Sequence, residues 1–123
     1  MSARRATILV VEDEELVREF VEQVLSEAGY EVLQAANADE AVRILAQRYV
    51  DLLFTDIVMP GSIDGLALAR LVYAKYPRTR VLCASGYAPV LESLPAGDPA
   101  FAHLLRKPYR GDTLVEEIAR LLA

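Results

Sequence analysis

A chain of 123 residues suits one domain with one core, and 54% of it is hydrophobic, too much for a disordered segment. The net charge is −5 and no Lys/Arg cluster is longer than Arg4-Arg5, which argues against direct contact with nucleic acid. The single cysteine, Cys83, excludes an internal disulfide and fits a reducing compartment, and no apolar stretch approaches the roughly 20 residues of a membrane span.

Ala6 to Val11 is a short β-branched run that reads as the first strand. Glu12-Asp13-Glu14-Glu15 ends it before it reaches the roughly 7–15 apolar residues of a secretory signal. The expected location is therefore the cytoplasm. From Glu14 to Ala28 the apolar residues Val17, Val21, Val24 and Leu25 recur at helical spacing, and Gly29 supplies a stop. Tyr30 to Ala35 predicts a second strand. Asn37, three residues before Glu40, predicts the cap of a second helix running to Gln47 or Arg48.

Asp51 to Thr55 predicts the third strand, followed by loop chemistry from Met59 to Gly65. Leu66 to Tyr76 predicts a helix ended by Pro77, and Arg80 to Ala84 the fourth strand. Between Ala88 and Ala100, Pro89, Pro95 and Pro99 leave room for only a short helix around Val90 to Leu94. Leu104 to Arg106 predicts the fifth strand. Asp112 or Thr113 is the expected cap of a last helix, supported by Glu116.

Strands alternating with helices imply a parallel sheet covered on both faces. The nearly all-apolar first, third and fourth strands fit its doubly buried centre. Such sheets bind ligands at the C-terminal ends of their strands. Glu12 and Asp13, Asp56, Ser85 and Lys107 all fall at those ends, on four different strands.

The chemistry of that set is specific. Mg²⁺ takes oxygen ligands, commonly one or two carboxylates beside a phosphate. Asp13 and Asp56 can supply those carboxylates, a backbone carbonyl after Asp56 another oxygen, and Glu12 can hold a coordinated water. Three acids packed together repel one another unless a cation sits among them. Asp56 can attack phosphorus as a nucleophile. Lys107 offers a positive charge to a phosphoryl oxygen and Ser85 a hydroxyl. Gly86 lets the backbone N–H approach closely. Taken singly, each residue has a plainer reading as a polar loop or turn; the ordered set carries the inference. His103 has no Cys or His partner at zinc-ligand spacing, and Cys83 reads as core.

Val10-Val11-Glu12-Asp13-Glu14, Leu53-Phe54-Thr55-Asp56-Ile57-Val58-Met59-Pro60-Gly61, Asp64-Gly65-Leu66, Ser85-Gly86-Tyr87 and Lys107-Pro108-Tyr109 together resemble a response-regulator receiver domain of two-component signalling. The resemblance covers nearly the whole chain, so residues 1–123 are expected to form a single receiver domain. It implies a flavodoxin-like α/β fold: a doubly wound, five-stranded parallel sheet in the order 2-1-3-4-5, with helices on both faces. It implies that Asp56 is the phosphoacceptor, taking its phosphoryl group from the phosphohistidine of a sensor histidine kinase or a histidine phosphotransfer protein.

It further implies that Asp13, Asp56 and the Val58 carbonyl hold Mg²⁺, with Glu12 acting through water. The backbone of Ile57, Val58 and Gly86 would meet the phosphoryl group, Ser85 would reorient toward it, and the Lys107–Pro108 bond would be cis. The family's signalling aromatic on the last strand falls at Leu104, which is not aromatic; Ser85, Tyr87 and Leu104 are the switch positions, and Tyr87 or Tyr109 could substitute for the missing ring. The chain would catalyse only its own phosphorylation and dephosphorylation. Output would pass to another protein, with no direct role for nucleic acid or membrane, and a homodimer is compatible. The alternatives are a degenerate receiver that only binds proteins, and an aspartyl-nucleophile phosphatase. The latter needs a second acid where this chain has Val58.

Overall fold

Five apolar runs, each too short for a stable helix, become strands, and the amphipathic stretches between them become helices. The structure is a computed structural model and describes residues 5–59, 64–86, 88–94 and 97–123. The strands are β1 (Thr7–Val11), β2 (Glu31–Ala35), β3 (Leu52–Asp56), β4 (Arg80–Ser85) and β5 (Leu104–Arg106). The helices are α1 (Glu15–Glu27), α2 (Ala38–Gln47), α3 (Gly65–Lys75), α4 (Ala88–Ser93) and α5 (Gly111–Leu122). The sheet is parallel throughout, in the order β2-β1-β3-β4-β5.

Side chains alternate across each strand, and this alternation divides the core in two. Ile8, Val10, Leu52, Phe54, Leu82 and Ala84 point to one face, where Val21 and Leu25 of α1 and Leu114 and Ile118 of α5 cover them. Leu9, Val11, Leu53, Val81 and Cys83 point to the other, against Ala41 and Leu45 of α2 and Leu68 and Val72 of α3. Burying each such aliphatic side chain is worth about 1.5–3 kcal/mol, which outweighs the poor helix and strand propensities of individual residues.

The helix boundaries follow local chemistry. Asn37 caps α2 by accepting the Glu40 N–H at 2.9 Å. Asp64 caps α3 by accepting the Ala67 N–H at 2.9 Å. The last helix departs from expectation: α5 begins at Gly111, Arg110 occupies the cap position, and no side chain caps it. Asp112 lies instead inside the first turn, bound by the Arg110 guanidinium at 3.1 and 3.3 Å and by the Thr113 N–H at 2.8 Å. There its charge still faces the positive end of the helix dipole.

The proline-rich stretch holds more structure than the expected single helix. It contains α4 and a 3-10 turn, Pro99–Phe101, whose Asp98 carboxylate accepts the Ala100 N–H at 3.0 Å. Arg70 of α3 ties this turn down, reaching Asp98 at 3.5 Å and lying 5.4 Å from the Phe101 ring centre. Pro60 to Ile63, most of the loop expected between Met59 and Gly65, lie outside the described residues.

Candidate functional site

The order β2-β1-β3 means that the chain leaves β1 to one side and returns on the other. The crevice this opens lies beyond the C-terminal ends of β1 and β3. Glu12 and Asp13 follow β1 directly, and Asp56 is the last residue of β3. The ladder runs one step past β1 and β5, through Glu12 N–H to Ala35 at 3.1 Å and Lys107 N–H to Ser85 at 3.1 Å. The alternation that turns Val10, Phe54 and Leu105 to one face therefore reaches Glu12, Asp56 and Lys107. Parity across three strands, and not proximity in sequence, brings these side chains together.

The Lys107 ammonium donates to Asp56 Oδ2 at 2.8 Å and to Glu12 Oε1 at 3.2 Å. Glu12, Asp13 and Asp56 each present a carboxylate oxygen within 4.8 Å of the others. At that spacing two unit charges repel by about 3–4 kcal/mol at an effective dielectric of 20, so the cluster calls for positive charge. Glu12 is 5% exposed. Burial pushes its carboxyl above the usual range; the hydrogen bond from Glu14 N–H and the Lys107 charge oppose this without cancelling it. Burial also works to lower the Lys107 pKa, but the hydrogen bond and charge of Asp56, with those of Glu12, outweigh it and leave the ammonium raised.

Ser85 is buried at the end of β4, next to Ala84, the register partner of Asp56. Gly86 follows, and a Cβ there would lie 3.1 Å from Lys107 Cβ, so glycine lets the lysine stem pass close by. The Lys107–Pro108 bond is cis. Val58 donates its N–H to Asp56 Oδ1 at 3.3 Å, and the residue is 50% exposed. The Ile57 N–H donates to the Ala84 carbonyl at 3.0 Å and its own carbonyl accepts the Gly65 N–H at 3.0 Å. Both of its backbone groups continue the framework, and the N–H turned to the Asp56 carboxylate is that of Val58.

Of the switch positions, Tyr87 lies outside the described residues. Leu104 is half-buried and packs on the α2/α3 side of the sheet. Tyr109 packs edge-on against Phe54, centroids 5.8 Å apart at 74°. Burial pushes its phenol up to about 12.

Arg18, which had no part in the sequence reading, and Gly65, which was read only as part of a motif, support the site. Arg18 donates to the Glu12 carbonyl at 2.7 Å and holds the end of β1 against α1. Gly65 starts α3 so close to β3 that a Cβ would overlap the Asp56 carbonyl oxygen and stand 2.8 Å from Asp56 C and Ile57 Cα. The Asp64-Gly65 pair was visible in the sequence, but its reason is a contact between distant segments.

An all-oxygen cluster of carboxylates with an ammonium beside the most central one suits a hard divalent cation and an anionic phosphoryl group. The family model of the response regulator receiver domain matches residues 8–119. The chain belongs to this family. The receiver domain is 36% identical over 115 residues to the response regulator receiver protein CpdR of Brucella abortus, covering 94% of this chain and 95% of that protein. It is 31% identical over 109 residues to a putative NtrX-like response regulator of Rickettsia bellii, covering 88% of this chain. It spans only 23% of that regulator's length. Its fold matches that of the response regulator TrrA of Thermotoga maritima, solved in complex with Mg²⁺-BeF, with a TM-score of 0.84 and 32% identity over 95% of this chain and 99% of that one. No helix among the described residues is long and apolar enough to cross a membrane.

Proposed function

We propose that this receiver domain accepts a phosphoryl group from a phosphohistidine onto Asp56 and signals through the resulting change in its surface. The observation that carries the reading is the 2.8 Å contact between Lys107 Nζ and Asp56 Oδ2, made within reach of the Glu12 and Asp13 carboxylates. The donor set fits Mg²⁺: Asp13, Asp56 and the Val58 carbonyl would hold it, with Glu12 acting through water. The ion, when bound, neutralises charge that the acids and the incoming phosphoryl oxygens would otherwise pile together.

Asp56 attacks phosphorus with one carboxylate oxygen. The P–N bond of the donor breaks, the imidazole leaves with the bonding pair, and an acyl phosphate forms on Asp56. Catalysis here is positioning and charge stabilisation more than proton transfer. Lys107 follows the charge, moving from the carboxylate to a phosphoryl oxygen. The Val58 and Gly86 N–H groups and the Ser85 hydroxyl bind the remaining oxygens. Attack by water on the acyl phosphate later returns the domain to its starting state, so the only turnover is its own. Movement of Ser85 toward the phosphate would alter β4 and the α4–β5 segment, the route by which the charge reaches the surface.

The donor would be a sensor histidine kinase or a histidine phosphotransfer protein in the cytoplasm. The output would be contact with another protein, with residues 1–123 acting as a single receiver domain.

Incubation with acetyl phosphate and Mg²⁺ should add one phosphate by intact mass, and Asp56→Asn should abolish it. Labelling of that variant to the same stoichiometry would remove Asp56 as the acceptor.

A further inference from the structure

The end of the sheet opposite Asp56 carries a second chemistry. A hollow of about 430 Å³ lies where α2 and α3 end and β3 and β4 begin, lined by Arg48, Tyr49, Lys75, Tyr76 and Arg78 among others. Two further hollows, of about 370 and 360 Å³, adjoin it, and Tyr49 lines all three. Together they gather Arg5, Arg48, Lys75, Arg78 and Arg80 against two acids, Glu31 and Asp51. This excess of positive charge stands out on a chain of net charge −5.

Part of it has a structural explanation. Helix C-termini carry about half a negative charge each, and three helices end here. Arg80 answers one of them, donating to the Leu121 carbonyl at 3.1 Å. Arg48 pairs with Glu31 at 2.9 Å. Lys75, in the last turn of α3, also faces a helix end; Arg78 answers neither need. Lys75 Nζ lies 5.7 Å from the Tyr76 ring centre and Arg78 Cζ lies 6.0 Å from that of Tyr49. Among the described residues no carboxylate comes within ion-pair distance of either. Tyr49 is 49% exposed, and its hydroxyl donates to the Arg78 carbonyl at 3.3 Å. That bond holds the ring in place, so little entropy is lost when a partner covers it. Tyrosine and arginine in this mixture are the residues that dominate binding energy at protein interfaces.

We propose that this pole is a docking surface for an acidic protein segment carrying one aromatic or large apolar anchor. Adjoining open hollows around one tyrosine suit an extended chain better than a small enclosed ligand. A long polyanion would meet the acidic remainder of the domain, whereas a short acidic segment stays within a Debye length, about 8–10 Å, of the five cations. The proposal is independent of phosphorylation at Asp56.

The probe is a short peptide of glutamates flanking a single phenylalanine, titrated into the ¹⁵N-labelled domain. Amide shifts should concentrate at Arg48, Tyr49, Lys75 and Arg78 and leave Asp56 unmoved, and affinity should fall as salt is raised. The double variant Lys75→Glu, Arg78→Glu and the single variant Tyr49→Ala should each weaken binding by about tenfold or more. Both should still take a phosphate from acetyl phosphate at the wild-type rate, which shows that they fold. The proposal is overturned if no shift appears up to about 1 mM peptide, an affinity of only about −4 kcal/mol. It also fails if the peptide without phenylalanine or its lysine counterpart binds as tightly, or if a duplex oligonucleotide binds more tightly.

Discussion

Gly65→Ala adds one methyl group, and its consequence can be worked out from the contacts. The new Cβ would stand 2.8 Å from Asp56 C and from Ile57 Cα, where ordinary contact begins at about 3.4 Å, and it would overlap the Asp56 carbonyl oxygen outright. Every one of these neighbours is backbone, so no side chain can turn aside. The first turn of α3 and the end of β3 must part, which also stretches the 3.0 Å bond from Gly65 N–H to the Ile57 carbonyl. Overpacking of this kind costs about 1–3 kcal/mol, and the weakened hydrogen bond about 1 kcal/mol more. The better helix propensity of alanine returns at most about 1 kcal/mol. The net expectation is a loss of about 1–4 kcal/mol, read by urea unfolding. Against a domain stability of about 5–15 kcal/mol, the variant still folds. Its function should suffer more than its stability, because a displacement of about 1 Å at a reacting group can cost about a hundredfold in rate. The initial rate of acetyl phosphate labelling, measured with Mg²⁺ on the folded variant, should fall by that order. A variant as stable as wild type and labelled as fast would show that α3 does not press on the acceptor strand and that the site tolerates slack there.

Other consequences are as direct. Mg²⁺ at a hundredfold excess over its Kd should stabilise the domain by about 2.7 kcal/mol in thermal unfolding. Asp13→Asn should lose most of that gain while unfolding later than wild type without metal, since one of three clustered carboxylates is gone; equal stabilisation of both proteins would contradict the ligand assignment. The Thr7 hydroxyl donates to Glu31 at 2.8 Å and, ahead of Arg48, holds that carboxyl below the usual 4.5. A depressed carboxyl stabilises the folded state above its unfolded pKa, and the contribution disappears as pH falls through the folded value. The stability gap between wild type and Thr7→Val should therefore be widest near neutral pH and narrow below about 4.5 in pH-resolved urea titrations; a gap that widens in acid would reverse the sign. Burial pushes the Cys83 thiol up to about 12, with the Asp56 charge adding to it. Iodoacetamide should leave the native protein unmodified and label it only after unfolding; rapid native labelling would mean that the core face of β4 opens readily.

The chain's own pattern determined a great deal. Apolar runs of strand length, alternating with helical periodicity, were enough to place all five strands to within a residue or two, most plainly the central three, where burial on both faces leaves little room for other residue types. The acids at the ends of β1 and β3 were legible for the same reason: a charged residue at the end of a doubly buried strand has nowhere to go but the rim. The cap at Asn37 was legible because it is a local bond between neighbours. Where local signals competed, the tertiary setting decided. Arg110 drew Asp112 into the first turn of α5, so the expected cap did not form.

What no local pattern could show is which residues meet. Glu12, Asp56 and Lys107 share a face because parity is carried across three strands whose order is a property of the whole sheet. The Ile57 N–H completes the β3–β4 ladder, a pairing between residues 27 positions apart that no local pattern announces. Gly65 must be glycine because a helix from one segment abuts a strand from another, and Tyr49 gathers cations because three helices happen to end at one pole. Periodicity and burial fix the elements from within; contact between distant elements is set only when the core closes.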